Sequence, residues 1–338
     1  MGEGGGGDLQ QLDERLRALL RERAARFPGA PPLAPDEPAP PRPLARSPQP
    51  RTVVLVGGRG MMGRFLASRL EAAGHEAIAL DKADWIDAPE VLPRADLALI
   101  CVPIEHTQEA IHRTAQHLMP HAALADITSI KRPFLQAMLE AHDGPVMGLH
   151  PMFGPGVDSF LSQRVVACPG RGDEAFAWLL DLVREDGGTV VVASAEEHDH
   201  AMTTIQAIRH FATFSLGTFL AAEHPDIART LEFSSPIYRL ELDMVCRLFA
   251  QDAGLYVDIM TATQERRDAI ARLAENAARL ARLAEIGDRA GLVRCFEETA
   301  RSLGPAETAR ALEESARVIR ALAGILASGR VNKPAPAP

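Results

Sequence analysis

Cysteine is scarce in this chain, and the four present, Cys101, Cys168, Cys246 and Cys295, lie far apart with no CxxC pair. That excludes a disulfide framework and a thiolate zinc site as organising features, and no metal is expected. An excess of positive charge is lacking too: 36 Lys and Arg stand against 45 Asp and Glu, a formal net charge of −9. Phosphate backbones are held by clustered cations, so nucleic acid is not an expected partner. No apolar run approaches the ~20 residues that a membrane span requires, and the opening MGEGGGG lacks the basic and apolar regions of a secretory signal. Myristoylation of Gly2 would call for Ser or Thr at position 6, where Gly stands. These absences point to a cytoplasmic protein in a reducing compartment.

What the chain does have is length and pattern. Its 338 residues suffice for two domains at roughly 100–200 residues each. Residues 8–27 place Leu9, Leu12, Leu16, Leu19 and Leu20 among charges, which predicts an isolated amphipathic helix over 1–27. Residues 28–50 hold 10 of the 25 prolines, a composition that predicts an extended linker. From Arg51 on, apolar segments of strand length alternate with helical patterns: TVVLV (52–56), EAIAL (76–80), LALICV (97–102), AALAD (122–126) and PVMGL (145–149). Continuous apolarity of this kind suits a parallel sheet covered on both faces. RVVAC (164–168) and TVVVA (189–193) bracket a helix starting near Asp173, after which strand signals stop.

Ser194-x-x-Glu197 reads as a capping box opening a helix to about Ala222. The expected architecture is a Rossmann-type α/β dinucleotide-binding domain over 51–193, an all-α substrate and dimerisation domain over 194–327, and a disordered tail over 328–338. Within the helical part, Ile270, Leu273, Ala277, Leu280 and Ala284 recur every three to four residues. Such a stripe belongs to a core or a subunit interface, and a homodimer is expected.

Gly58-x-Gly60-x-x-Gly63 follows a strand and opens a helix, as a dinucleotide fingerprint does. One glycine makes the tight turn, one admits the pyrophosphate, one lets helix and strand approach, and the helix N-terminus faces the phosphates. The alternative is a glycine-rich turn without a ligand. The next strand ends in Asp81, where a carboxylate accepts from the ribose 2′-hydroxyl and repels a 2′-phosphate, so NAD is favoured over NADP. A solvated loop charge is the plainer reading of Asp81, and Lys82 beside it could tolerate a phosphate.

The fifth strand runs into GLHPMFGP at the carboxyl end of the sheet, placing His150 where open α/β folds bind ligands. A histidine there can take a hydroxyl proton as hydride leaves the same carbon, or it can be a packed histidine bonded to backbone. Asp199, Met202, Gln206 and His210 fall at helical spacing on one face, polar where a core face would be oily. That face is either a site wall or a hydrogen-bonded helix interface. His198 and His200 read as structural or solvent-facing. Arg239, set among Ile, Tyr and Leu, needs an anion, either a ligand carboxylate or Glu241.

The stretches VVLVGGRGMMG, LICVPI, DITSIK, AHDGPVMGLHPMFGP, EEHDH, IQAIRHFATF and SSPIYRLEL together resemble the prephenate dehydrogenase family, specifically its enteric bifunctional type, over roughly residues 51–325. The resemblance implies NAD-dependent oxidative decarboxylation of prephenate to 4-hydroxyphenylpyruvate in tyrosine biosynthesis. It makes His150 the proton acceptor and sets Ser129 beside it. Arg239 becomes the binder of a substrate carboxylate, and His210 and Gln206 line the same pocket. The cofactor set is Gly58, Gly60, Met61, Met62, Gly63 and Asp81, with Val102 and Pro103 of the third strand. Arogenate, 4-amino-4-deoxyprephenate, or a non-catalytic NAD-bound regulatory role are the alternatives, and retention of His150 leans towards a hydroxyl substrate. Relatives of this type carry an N-terminal chorismate mutase of several helices. Here only the helix from Asp8 to Phe27 resembles its first, so no mutase activity is expected, and that helix could dock a separate mutase.

Overall fold

The computed structural model describes residues 44–154 and 156–327. The helix expected over 8–27, its docking role, most of the linker and the tail 328–338 lie outside the described residues. Those described fall into two compact units, one of 44–233 and 240–293, the other of 234–239 and 294–327.

The first unit is built on a seven-stranded sheet. Its strands are β1 (Thr52–Val56), β2 (Glu76–Leu80), β3 (Leu97–Ile100), β4 (Ala123–Asp126), β5 (Val146–Pro151), β6 (Arg164–Arg171) and β7 (Thr189–Val192), in the order β2-β1-β3-β4-β5-β6-β7. Every neighbouring pair is parallel except β5 and β6, which run antiparallel. The continuous apolar runs are explained by burial on both faces. Val54, Val56, Ala98, Ile100 and Leu124 point into one core, while Val53, Leu55, Leu97, Leu99 and Ala125 point into the other. Helices α2 (Ile104–Ala115) and α3 (Arg132–Ala141) cover the first face through Ile111, Leu135 and Met138; α1 (Met61–Ala72) and α4 (Ala177–Glu185) cover the second through Phe65, Leu70, Leu179 and Val183.

Ser194 ends the sheet region by capping α5 (Ala195–Met202), its Oγ accepting from the Glu197 amide at 3.0 Å. The helix expected to run unbroken to about Ala222 is instead widened by a π turn, Thr203–Ile208, before continuing as α6 (Arg209–Glu223). There follow α7 (Ile227–Glu232), α8 (Pro236–Phe249), α9 (Ala253–Thr261) and α10 (Gln264–Glu285). Two buried cations tie this unit together. Lys131 pairs with Asp126 at 2.5 Å and donates to the Leu149 carbonyl at 2.7 Å, just before His150. A Cβ at Gly148 would come 2.9 Å from the Lys131 Cδ, which accounts for the glycine of GLHP. Arg266 of α10 donates to the carbonyls of Ile259, at 2.5 Å, and Ser129, at 3.0 Å, fixing a helix to the loop after β4.

The second unit holds most of α11 (Arg289–Leu303) and α12 (Pro305–Ala327), and exposes Phe296, Leu303, Leu312 and Val318. No helix among the described residues is long and apolar enough to cross a membrane.

Candidate active site

Strand order turns at β1, whose neighbours β2 and β3 lead away in opposite directions, and a cleft of about 370 Å³ opens at their carboxyl ends. Gly57, Gly60, Asp81, Trp85, Val102 and Pro103 line it. The left-handed turn lies at Gly57 (φ 86°), one residue before the fingerprint, and a Cβ there would sit 2.9 Å from the Cys101 carbonyl oxygen. Gly58 is required for a different reason, since its Cβ would come 2.7 Å from the Ala79 Cβ in β2. A Cβ on Gly63 would strike the Gly58 carbonyl oxygen at 2.5 Å, whereas one on Gly60 would meet only the Gly57 oxygen at 3.2 Å. Gly60 caps α1 with no side-chain acceptor, so the first amides of the helix face outward unpaired by any cap. An anionic diphosphate fits these orphan donors and the open approach at Gly60.

Asp81 stands at the end of β2 with Oδ2 accepting from the Arg59 amide at 3.1 Å and lying 3.6 Å from the Arg59 guanidinium. Arg59 also pairs with Asp84, which lowers the Asp84 carboxyl below the usual range. The pairing was not anticipated, because the middle position of G-x-G carries no rule. Met61 is exposed, and Met62 faces the neighbouring cleft.

That second cleft, about 360 Å³, adjoins the N-terminus of α1 and is walled by Ser129, His150, Gln206, Arg209, His210 and Arg247, with Met62, Phe153, Gln251 and Tyr256. His150, in β5, is buried. Its Nδ1 lies 2.7 Å from His198 Nε2, and its Nε2 lies 3.3 Å from the Gln206 amide nitrogen. The Gln206 Oε1 is buried and has no hydrogen-bond partner among the described residues, leaving an acceptor for a ligand. Burial first, then the charges of His198, Lys131 and Arg266, hold His150 well below the ordinary histidine value. His210 sits edge-on to Tyr256 at 4.9 Å and is pushed down to about 4 by burial and by Arg209 and Arg266. Among the described residues no acidic side chain lines this cleft, although Arg209 and Arg247 do. Two arginines beside an imidazole held neutral can bind an anion and accept a proton.

Ser129, His150, Gln206 and His210 are thus gathered around one cleft, and Gly60, Asp81, Val102 and Pro103 around the other. Arg239 falls in the other compact unit, its Nε buried and without a hydrogen-bond partner among the described residues. The arginine lining the cleft from α8 is Arg247, eight residues on, roughly 12 Å along a helix rising ~1.5 Å per residue. His198, read as structural or solvent-facing, is buried against His150, whereas His200 is exposed and bonded to Glu265 at 2.8 Å.

Residues 67–192 match the family model described as prephenate dehydrogenase, nucleotide-binding domain, and residues 194–298 the one described as prephenate dehydrogenase, dimerization domain. The chain is 44% identical over 246 residues to the T-protein of Haemophilus influenzae, covering 73% of this chain and 65% of that protein. It is 42% identical over 273 residues to the T-protein of Enterobacter agglomerans, covering 81% and 73% respectively. Among solved structures, the prephenate dehydrogenase from A. aeolicus in complex with hydroxyphenyl propionate and NAD+ matches with a TM-score of 0.62 at 17% identity, covering 75% of this chain and 97% of that one. At that identity the likeness is one of fold.

Proposed function

The chain belongs to the prephenate dehydrogenase family, and on that premise we propose that it is a cytoplasmic NAD-dependent enzyme of tyrosine biosynthesis that oxidises and decarboxylates prephenate to 4-hydroxyphenylpyruvate. The observation that carries the reading is the second cleft, whose wall holds a buried, neutral His150 and two arginines, with no carboxylate among the described residues. NAD, held at Gly57, Gly60 and Asp81, would supply the hydride acceptor.

The protein's own groups do the rest. His150 Nε2 takes the proton of the ring hydroxyl, which would otherwise oppose hydride loss from the same carbon. The Gln206 amide, 3.3 Å from that nitrogen, gives way to the hydroxyl, and Ser129 and the neutral His210 bound the space around it. The two carboxylates of prephenate are its only strong handles, and we assign them to Arg247 and Arg209 rather than to Arg239. An arginine fork matches a carboxylate in two hydrogen bonds and fixes the ring in one orientation. As the ring carboxylate departs as carbon dioxide, its bonding pair enters the ring, which becomes aromatic, and the step cannot reverse.

A homodimer is supported by the match of 194–298 to the family's dimerization domain and by the exposed Phe219, Phe233 and Phe296 on the helices. The function is tested by following NADH formation with prephenate, arogenate and 4-amino-4-deoxyprephenate. Prephenate should give the highest kcat/KM by about tenfold or more: 4-amino-4-deoxyprephenate lacks the ring hydroxyl that His150 would deprotonate, and arogenate keeps it but carries an ammonium on the side chain, which the cleft arginines Arg209 and Arg247 would repel. A preference for either amino substrate would overturn the assignment.

A further inference from the structure

We propose that His198 and Asp199 are the positioning pair that fixes the tautomer of His150, so that its Nε2 always meets the substrate as a bare acceptor. The proposal rests on His150 being the proton acceptor.

Asp199 lies at the N-terminus of α3, where Oδ1 accepts from the Lys131 amide at 2.8 Å and Oδ2 from the Arg132 amide at 2.9 Å. Burial opposes its charge, but these amides and His198 outweigh it and hold the carboxyl below the usual range. An ionised carboxylate only accepts, so His198 Nδ1, 2.8 Å from Oδ1, must donate. A neutral imidazole carries one N–H, which leaves His198 Nε2 bare. That atom lies 2.7 Å from His150 Nδ1, and two bare nitrogens cannot share a bond, so His150 Nδ1 must carry the hydrogen. His150 Nε2 is then the lone pair, facing the Gln206 amide and the cleft.

A doubly protonated His198 would reverse the relay. Both its nitrogens would donate, His150 Nδ1 would accept, and an N–H would face the substrate with no capacity to take a proton. The charged and titratable groups that face the pair are Lys131 and Asp126 from the segment between β4 and α3, Arg266 from α10, and Arg209 and His210 from α6. From α8 and α9 the cleft adds Arg247 and Tyr256. These are mostly cations, and Asp199 is the acceptor that the imidazole pair touches directly.

The test compares His198→Leu with His198→Gln. A glutamine can place an oxygen where Nε2 lies and accept from His150 Nδ1; a leucine cannot. His198→Leu should lower kcat by ~10²-fold, the low end of what general-base assistance supplies, and His198→Gln should recover at least about tenfold of it. The dissociation constant for NAD+ should be unchanged in both. Side-chain ¹⁵N spectra, with His150 identified by its loss in His150→Asn, should give a protonated Nδ1 and a bare Nε2 in the wild type and in His198→Gln. A wild-type His150 protonated on Nε2 overturns the proposal. So does a His198→Leu enzyme whose kcat stays within about threefold of wild type, or a glutamine variant no better than the leucine one. Should His198→Leu not fold, the wild-type and glutamine spectra still decide. The tautomer is read without substrate, so the expected spectrum in a protein that fails to oxidise prephenate would sink the assigned reaction and leave the relay standing.

Discussion

Replacing Arg247 with glutamine should raise the Michaelis constant for prephenate by ~30- to 150-fold while changing kcat much less, on a loss of ~2–3 kcal/mol at ~1.4 kcal/mol per decade. The magnitude comes from the wall of the cleft. Among the described residues, Arg209 and Arg247 are its permanent cations, and no carboxylate lines it to compete for them. Removing one partner of a desolvated charge pair costs ~2–5 kcal/mol, but both arginines are exposed in the ligand-free chain, so the lower part of that range applies. Glutamine keeps most of the length and one donor and removes the charge and the fork. The assay is steady-state NADH formation across prephenate concentrations at saturating NAD+, with Arg239→Gln run in parallel and Tm recorded for both. Arg239→Gln should change KM by less than about threefold, because the anchor is placed eight residues further along α8. A normal KM in Arg247→Gln together with a strongly raised one in Arg239→Gln would refute the reasoning and return the anchor to the position expected from the sequence.

Three other outcomes follow from the same geometry. His150→Asn should lower kcat by ~10²-fold or more with NAD+ affinity unchanged, and a loss of less than tenfold would remove His150 as the base. Asp81→Ala should weaken NAD+ binding and erase discrimination against NADP+, because Arg59, 3.6 Å from the lost carboxylate, would remain to meet a 2′-phosphate; titration of both cofactors checks it, and an unchanged ratio of dissociation constants counts against it. The third concerns pH. His150 and His210 are held below 6.5 in the fold, His210 at about 4, so as pH falls through 6.5 the unfolded chain takes up protons that the native chain refuses. Stability should therefore be full above 6.5 and decline towards about 4, read as a falling urea midpoint, with a shallower decline in His210→Gln; equal slopes in the two proteins would contradict it.

The sheet was legible because its strands are buried on both faces. A run such as TVVLV admits few other homes, and Ser194 announced the first helix after the sheet by the residue type a cap demands. His150 was legible through its place at a strand end. Other parts depended on partners that the local sequence does not name. The left-handed turn could fall at Gly57 or Gly58 of a Gly-Gly pair, and only the distances to Cys101 and Ala79 decide between them. Arg239 and Arg247 share one helix, and spacing alone does not say which points into a cleft. His198 bonds to a residue 48 positions earlier, so no short-range pattern marks it. Arg266 is one of several arginines in an Arg-rich helix, set apart only by being fully buried on the Ser129 carbonyl.

The π turn at Thr203–Ile208 bears on how this helix could change by insertion or deletion. A π turn is an α-helix that accommodates an extra residue, and each residue of α-helix turns the chain by ~100°. Asp199 lies before the widened stretch, Gln206 within it and His210 just after it. Losing one residue there would restore a regular helix with its flanks still in phase, so Asp199 and His210 would keep their faces while Gln206, inside the widened stretch, would lose its place beside His150. A segment exchanged from a protein with a regular helix would therefore fold in place with both ends correctly aimed, and would alter the wall only where Gln206 meets His150.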